Sequence, residues 1–244
     1  MTIKQPDTKD LPALRRLWQQ AFGDTAEFLN SFFSTGFSPS RCRCLTKDGI
    51  LAAALYWFDC DMGDKKLAYL YAVATDDDFQ RQGLCAALME DTHRHLASLG
   101  YDGAVLVPGT EALRCYYRRF GYEDFGGIRK QTVPVKALTA TLRSIDKQEF
   151  ARLRKQHLPQ GGIVQEGVTL DFFATFAKFF AGEDFVLAVT QDRAELLGNA
   201  PALPTAAPDE KAILLRTPGK APFAMFLPLT DNKERPAYFG IALD

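Results

Sequence analysis

The fold of the chain is most constrained by a stretch between residues 69 and 122. In it the sequence patterns of a strand, a polar turn, a helix and a second strand follow one another. Residues 67–74 form an apolar run rich in strand-forming residues. The turn over residues 75–83 is polar, and a helical pattern begins near Leu84 and ends before Gly100. A helix that starts at the end of a strand presents about four unpaired backbone N–H groups and the positive end of its dipole. The sequence therefore predicts an anion-binding position at the start of this helix.

Gly83 stands directly before that helix, where the lack of a side chain lets a ligand phosphate come close to the backbone. The turn lacks the Gly-x-x-x-x-Gly-Lys-Ser/Thr pattern of nucleotide-binding loops, and no three-glycine dinucleotide motif follows the strand. These absences disfavour a nucleoside triphosphate or a nicotinamide dinucleotide as the ligand. A single glycine at a helix start is also typical of an ordinary turn, and from these residues alone that alternative stays open.

The turn resembles the acetyl-coenzyme A (acetyl-CoA) pyrophosphate loop of the GNAT N-acetyltransferase superfamily. Gln80 and Gly83 match the family pattern Gln/Arg-x-x-Gly-x-Gly/Ala, whereas Cys85 stands where Gly or Ala is usual and Asp77 where Pro is common. The spacing from Val73 to the glycine is that of the branch related to the enhanced-intracellular-survival acetyltransferases. The resemblance implies that acetyl-CoA is the co-substrate, bound by Val73, Ala74, Thr75, Gln80, Arg81, Gln82, Gly83, Leu84, Cys85 and Ala86.

A second motif of the same family lies downstream. A predicted strand over residues 103–107 leads through Pro108-Gly109-Thr110 into a helix that closes with Phe120-Gly121-Tyr122. The resemblance places Tyr117 beside the thioester sulfur, which makes this phenol the candidate acid for the leaving thiolate. A core tyrosine that holds the helix on the sheet is the alternative role. The two motifs together cover about residues 2–130.

The fold that the resemblance implies is α/β (α+β), with a mixed, mostly antiparallel sheet flanked by helices. The residues before the turn agree with it. Apolar positions at helical spacing predict a helix capped by Asp10 and a second helix over residues 25–33. Strands are predicted over residues 41–46 and 50–58, and Asp48-Gly49 joins them as a hairpin.

The activity that the resemblance implies is transfer of an acetyl group to an amine by direct attack in a ternary complex. A backbone N–H near Val73 or Ala74 would bind the oxyanion. No acidic residue lies on the strand over residues 67–74, so the general base stays unassigned. Tyr69 and Tyr71 share one face of that strand and are candidates to line the acceptor cleft.

Three carboxylates elsewhere are candidates for the base. Asp59 and Asp61 end a predicted strand, with solvated turn residues as the alternative interpretation. At the end of the given chain, Asp244 or its terminal carboxylate is a further hypothesis, with a frayed end as its alternative. His93 and His95 are predicted to be surface histidines on the long helix.

The second half of the chain repeats the pattern of the first. Residues 142–155 align without gaps on residues 3–16, which predicts a GNAT domain over residues 1–134 and a degenerate GNAT-like domain over residues 135–244. No second glycine-bearing helix start occurs there, so this half is not expected to bind coenzyme A; it would close the acceptor cleft or form the face of a homodimer. A helix is predicted to hold the aromatic residues between 170 and 180. Strands are predicted over residues 185–190, 211–216, 223–229 and 238–243, with a Pro/Ala-rich loop over residues 198–208.

Composition narrows the class of protein further. A net charge of −1 gives no basic field for nucleic acid, and neither a membrane span nor a signal peptide is recognisable, so a cytoplasmic protein is expected. The five cysteines are an odd number and Cys42-x-Cys44 has no second ligand pair, so neither a disulfide framework nor a metal site is expected. A non-catalytic, coenzyme A-binding regulatory or scaffold module stays open as a different class of function, and a nucleotide-binding module is the third candidate.

Overall fold

The computed structural model describes residues 1–135, 142–207, 209–231 and 234–243. Its strands are β1 Thr2–Lys4, β2 Cys42–Lys47, β3 Ile50–Met62, β4 Lys65–Thr75, β5 Gly103–Leu106, β6 Glu123–Pro134, β7 Arg143–Ile145, β8 Lys178–Ala181, β9 Phe185–Val189, β10 Arg193–Gly198, β11 Ala212–Pro218 and β12 Ala221–Pro228. Its α-helices are α1 Leu11–Phe22, α2 Ala26–Ser31, α3 Leu84–Ser98, α4 Glu111–Arg118, α5 Lys147–His157 and α6 Val168–Phe173.

The strands form one sheet in the order β1-β2-β3-β4-β5-β12-β6-β11-β10-β9-β8-β7. Two neighbouring pairs are parallel, β4 with β5 and β10 with β11, and the other pairs are antiparallel. Helices cover the sheet on both faces. The predicted fold class, a mixed and mostly antiparallel sheet flanked by helices, is therefore confirmed.

The start of the first helix is capped differently from the sequence prediction. Residues Thr8–Asp10 form a 3₁₀ turn ahead of α1, and Asp7 caps that turn through Lys9 N–H at 2.7 Å. The Asp10 carboxylate turns back and accepts from the Asp7 N–H at 2.8 Å, so the prediction that Asp10 caps α1 with its side chain is wrong. Gly23 ends the helix, in the left-handed region at φ 67°.

The two halves of the chain exchange strands at the centre of the sheet. β12, from the second half, lies between β5 and β6, and β6, from the first half, pairs with β11. The second half also repeats the element order of the first, since a strand and two helices precede a three-stranded antiparallel meander in each. The predicted domain boundary falls at the end of β6, across which the sheet is continuous; the division into two domains stays a prediction.

Two predictions in the second half are wrong, and one strand was not predicted. Phe179 and Phe180 lie in β8 and not in the preceding helix, and β10 was not predicted at all. Residues 238–243 form no strand; only Tyr238 makes a single bridge, to Gly162. These residues are buried, as their apolar side chains indicate. An apolar run indicates burial but does not show whether the backbone pairs with another strand.

The core has two layers, one on each face of the sheet. Alternate residues of β3 divide between them, because successive side chains of a strand point to opposite faces. Tyr56 and Phe58 pack with Trp18, Phe32 and Phe172 under the helices α1, α2 and α6. Leu55 and Trp57 pack on the other face, under α3 and α4. No α-helix within the described ranges is long and apolar enough to cross a membrane.

Candidate active site at the split between two strands

The strands β4 and β5 pair over a short distance and then separate. Their register covers Leu67 to Tyr69 against Gly103 to Val105, although β4 continues to Thr75. A cavity of about 590 Å³ occupies the split. It is lined on one side by residues 69–73 of β4 and on the other by residues 106–109, which end and follow β5.

The cavity joins the two faces of the sheet. Tyr69 and Tyr71 face the α1–α2–α6 layer, whereas Leu70 and Tyr117 belong to the α3–α4 layer, and all four line the cavity. A ligand that enters from one face can therefore meet a ligand that enters from the other.

A β-bulge lies where the strands separate. Ala54 of β3 pairs with Ala74, but Tyr56 pairs with Tyr71, so β4 carries one extra residue between these pairs. Within this bulge Ala72 has φ 49°, a conformation that few residues other than glycine adopt. A bulge removes backbone groups from the regular ladder. Ala72 and Val73 both line the cavity, so the bulge forms part of the wall of the split.

The polar turn after β4 leaves the start of α3 open. Arg81 and Gly83 both have positive φ, 59° and 78°, and turn the chain sharply into the helix. No side chain caps Gly83, and a Cβ placed on it would meet no atom within 4 Å. Residues 80–83 are exposed. No side-chain hydrogen bond caps the start of α3, and the anion-binding position there stays a prediction.

The side chains of the turn mostly stabilise the turn itself. The Gln80 amide donates to Asp77 Oδ1 at 2.6 Å, and the Gln82 amide donates to the Asp78 carbonyl at 3.2 Å. Lys47 Nζ, at the β2–β3 hairpin, donates to Gln82 Oε1 at 2.5 Å, so a second cation joins Arg81 beside the turn. Sequence reasoning did not include Lys47 because it is 35 residues away in the chain.

Tyr117 lies on α4, whose start is capped by the Thr110 hydroxyl at 3.2 Å from Leu113 N. Its side chain is buried and lines the cavity. Burial raises the pKa of Tyr117, and the nearby Cys85 thiol raises it further, so the phenol is protonated at neutral pH. Of the predicted site residues, Tyr117 and Val73 line the cavity; the residues from Gln80 to Ala86 lie beyond it, in the turn and the start of α3.

The cavity is built from both halves of the chain. Tyr69 and Tyr71 line it, and their role in an acceptor cleft stays a prediction. Their hydroxyls hold the C-terminal segment, since Tyr71 donates to the Leu243 carbonyl at 2.7 Å and Leu243 N–H donates to Tyr69 at 3.3 Å. Other lining residues are Trp18, Phe22, Asp24, Phe28, Phe176, Thr190, Gln191, Asp192 and Leu243.

The carboxylates proposed as bases lie elsewhere or beyond the described residues. Asp59 accepts a hydrogen bond from Tyr101 and pairs with Arg41 at 3.5 Å, and neither Asp59 nor Asp61 lines the cavity. Asp244 lies outside the described residues. Asp24, which sequence reasoning missed, is half-buried and lines the cavity. Its one sequence signal is its position directly after Gly23, the glycine that ends α1.

His93 is not the surface residue that the sequence predicts. Its Nε2 lies 2.9 Å from the hydroxyl of Tyr122, which is buried under α3. Burial, followed by the charge of Arg94, lowers the pKa of His93 to about 4. Within the part of the chain that the structure describes, no group of three or more His, Cys, Asp or Glu side chains is arranged to hold a metal ion.

Comparison with known families defines the class of protein. Residues 2–125 match the acetyltransferase (GNAT) domain family, which is about half of the chain. The chain therefore belongs to the GNAT family of acetyltransferases, and the resemblance seen in the two sequence motifs is confirmed.

Solved structures share the fold across both halves. A GCN5-related N-acetyltransferase from Kribbella flavida has a TM-score of 0.65 at 13% identity, over 92% of this chain and 70% of that one. A GCN5-related N-acetyltransferase from Anabaena variabilis ATCC 29413 has 0.65 at 14% identity, over 94% and 73%. Eis1 from Mycobacterium abscessus has 0.62 at 11% identity, over 93% and 73%. A search of curated proteins gave no match.

Proposed function

We propose that the chain transfers the acetyl group of acetyl-CoA to a primary amine by direct attack in a ternary complex. The observation that carries this proposal is the cavity in the strand split, because it connects the face that holds Tyr117 with the face that holds Tyr69 and Tyr71. A thioester and an amine that enter from opposite faces can then meet without a covalent enzyme intermediate.

The coenzyme would bind at the start of α3. Its diphosphate needs backbone donors and positive charge, which the open first turn after Gly83 and the cations Arg81 and Lys47 offer. The fit is supported by the free space at Gly83, where a side chain would stand in the path of a phosphate. From there the thioester arm would pass along Val73 into the split.

The chemistry follows from the groups around the split. The neutral amine attacks the thioester carbonyl carbon, and a backbone N–H of the bulge near Val73 or Ala74 stabilises the oxyanion. As the C–S bond breaks, the thiolate takes the proton of the Tyr117 hydroxyl, the attacking nitrogen gives up its extra proton to solvent, and solvent reprotonates the Tyr117 phenolate. A free alkylamine has a pKa of about 10.4, so the acceptor must lose one proton before it attacks.

The second half would close the acceptor end of the site. Phe176, Thr190 and Leu243, all from the second half, line the same cavity as Trp18 and Tyr71 from the first. This arrangement supports the predicted role in closing the cleft over the alternative role as the face of a homodimer.

Tyr117→Phe tests the proposal, with Tyr116→Phe as the matched control. Tyr116 is the neighbouring phenol on α4 but does not line the cavity. Thiol release is measured with acetyl-CoA and a panel of amines, and coenzyme affinity by calorimetry. We expect Tyr117→Phe to lower kcat about 100-fold with the Kd of acetyl-CoA within threefold of the parent, and Tyr116→Phe to keep kcat within threefold.

Three outcomes would change the proposal. Equal kcat in the parent and Tyr117→Phe removes Tyr117 from the mechanism. Coenzyme binding without thiol release for any amine favours the non-catalytic, coenzyme A-binding module. Absence of coenzyme binding refutes the proposed function itself.

A further inference from the structure

We propose that the acceptor is an amine with a single positive charge on a compact, apolar body, and that Asp24 binds its ammonium group before that group loses one proton to solvent and attacks. This inference rests on the proposed function and names the substrate class of the same site. It follows from the position of Asp24, from the charges along the cavity and from the nature of its walls.

Asp24 is fixed in the cavity wall with its charge uncompensated. It lies between Gly23, which ends α1, and Thr25, which caps α2, so its backbone is held on both sides. The Trp18 indole N–H donates to Asp24 Oδ2 at 2.8 Å. No cationic side chain among the described residues pairs with it. A half-buried carboxylate without a counter-ion is costly, and an ammonium group from a ligand supplies the missing charge.

The other charge in the cavity is already compensated. Asp24 and Asp192 are the charged residues among the described lining residues, and no Lys, Arg or His is present there. The Asp192 side chain is 65% exposed, and Arg193 Nε lies 3.1 Å from its Oδ2. The described lining residues therefore offer one carboxylate to a cation and no cationic side chain to a carboxylate, which disfavours both polyamines and free amino acids.

The walls around Asp24 are aromatic. The rings of Trp18 and Phe22 have centroids 5.6 Å apart, and Phe28 and Phe176 meet across the two halves at 5.5 Å. Aromatic faces attract a cation and bury an apolar body. A hydroxylated polycation would leave polar groups without partners against these rings. The volume of about 590 Å³ is shared with the thioester arm, so the acceptor must be compact.

The test compares acceptors on the full chain. With acetyl-CoA, 2-phenylethylamine is the apolar monocation, spermidine the polycation and glutamate the anionic amine. We expect kcat/KM for 2-phenylethylamine to exceed that for spermidine at least tenfold, with no measurable turnover of glutamate. A preference for spermidine or glutamate would overturn the proposal.

Asp24→Asn removes the charge but keeps an oxygen acceptor for the Trp18 indole. We expect it to raise KM for 2-phenylethylamine at least tenfold, with kcat within threefold and the Kd of acetyl-CoA unchanged. Asp184→Asn is the matched control, because Asp184 is exposed and does not line the cavity, and it should change KM less than threefold. Equal KM in the parent and Asp24→Asn, or an equal effect of Asp184→Asn, would contradict the assignment.

A binding measurement keeps the inference separate from the proposed function. The trimethylammonium analogue of 2-phenylethylamine carries the same charge and ring but cannot react. We expect calorimetry to show that it binds the parent at least tenfold more tightly than Asp24→Asn, even in a preparation that shows no turnover. Failure of the analogue to bind overturns the acceptor class, whereas failure of acetyl-CoA to bind overturns the proposed function.

Discussion

The two parallel strand pairs of the sheet have the same short register but differ in the space beside their last paired residues. In the first half, β4 and β5 pair over three residues and then open into the cavity. In the second half, β10 and β11 also pair over three residues, Arg193 to Glu195 against Leu214 to Arg216. There the space beside Glu195 and Arg216 is only about 20 Å³, room for a single water molecule at most, although a separate pocket of about 470 Å³ lies beside Leu196 and Leu215.

A buried network of polar side chains surrounds Glu195 beside β10 and β11. Glu195 receives two hydrogen bonds from Arg154, at 2.9 and 3.0 Å, and a third from the Tyr238 hydroxyl at 3.1 Å. Arg154 and Glu195 are both nearly inaccessible to solvent. In the first pair, the register position that corresponds to Glu195 is held by Tyr69, which lines the open cavity. Shared topology therefore creates a place for a site, and the side chains decide whether it stays open.

The largest effect is expected from removing Arg154 from the buried network beside β10 and β11. Arg154→Met leaves the Glu195 carboxylate buried without its partner, so the free energy of unfolding should fall by about 3–5 kcal/mol. Urea denaturation measures this, and the Kd of acetyl-CoA should stay within threefold in buffer where the variant is folded. Arg143→Met is the control, because its pair with Glu149 lies at the surface, where solvent screens the charges, and its loss should change the free energy of unfolding little. Equal stability of the two variants would show that the ion pair does not maintain the second pair.

The next effect should fall on the open pair. Gly83→Glu puts a carboxylate at the start of α3, where the coenzyme diphosphate would bind, so the Kd of acetyl-CoA should rise at least 100-fold, or about 2.7 kcal/mol. The positive φ of Gly83 adds about 1 kcal/mol of strain to a folded variant. Calorimetry measures the affinity. Gly167→Glu is the control: Gly167 also stands directly before a helix, α6, and its replacement should leave the Kd unchanged. An unchanged Kd in Gly83→Glu would show that the coenzyme does not bind at α3.

The two pairs also differ in the segment that connects their strands, and in the first pair the stability of that segment should depend on pH. β4 and β5 are joined by α3, which His93 fastens to Tyr122, whereas the described residues between β10 and β11 contain no helix. The His93 pKa is about 4 in the folded chain and about 6.5 when unfolded, so the unfolded state binds the proton more readily between these values. The contribution of His93 to the free energy of unfolding is therefore fully present above pH 6.5. It falls by roughly 2 kcal/mol as the pH falls toward 4, after allowance for the partial exposure of His93. Denaturation of His93→Gln and the parent at several pH values measures this term; parallel stability curves would contradict it.

The smallest effect concerns residues 238–243, the C-terminal segment that Tyr71 contacts. Tyr71→Phe leaves the Leu243 carbonyl without its donor, which should cost about 1 kcal/mol in urea denaturation. Hydrogen exchange in residues 238–243 should accelerate, because Tyr71 fastens this segment to β4. Unchanged exchange would show that the segment is held by other contacts, such as the Gln165 amide on the Ile241 carbonyl at 2.7 Å.

The local features of the first pair could be predicted from the sequence. The start of α3 after Gly83, its end before Gly100 and the Asp48-Gly49 hairpin all depend on residues that favour one backbone conformation by themselves. Tyr117 could be placed because its helix follows a recognisable strand and turn.

The features that distinguish the two pairs could not be predicted. The strand split depends on β12, which pairs with β5 from more than a hundred residues away. β10 has the sequence RAELLG, whose Ala, Glu and Leu favour a helix when considered locally. Asp24 reaches the cavity only because α1 packs on β4, which no local pattern reports.

The exchange of β6 and β12 has a consequence for how the chain can be divided. A fragment that stops at residue 134 would keep β6 but lose the strand that covers the edge of β5, and its apolar edges would face water. Two such fragments could satisfy those edges only by adhering to each other. The interlocked strands therefore predict that residues 1–134 expressed alone will associate or aggregate rather than fold as a stable monomer.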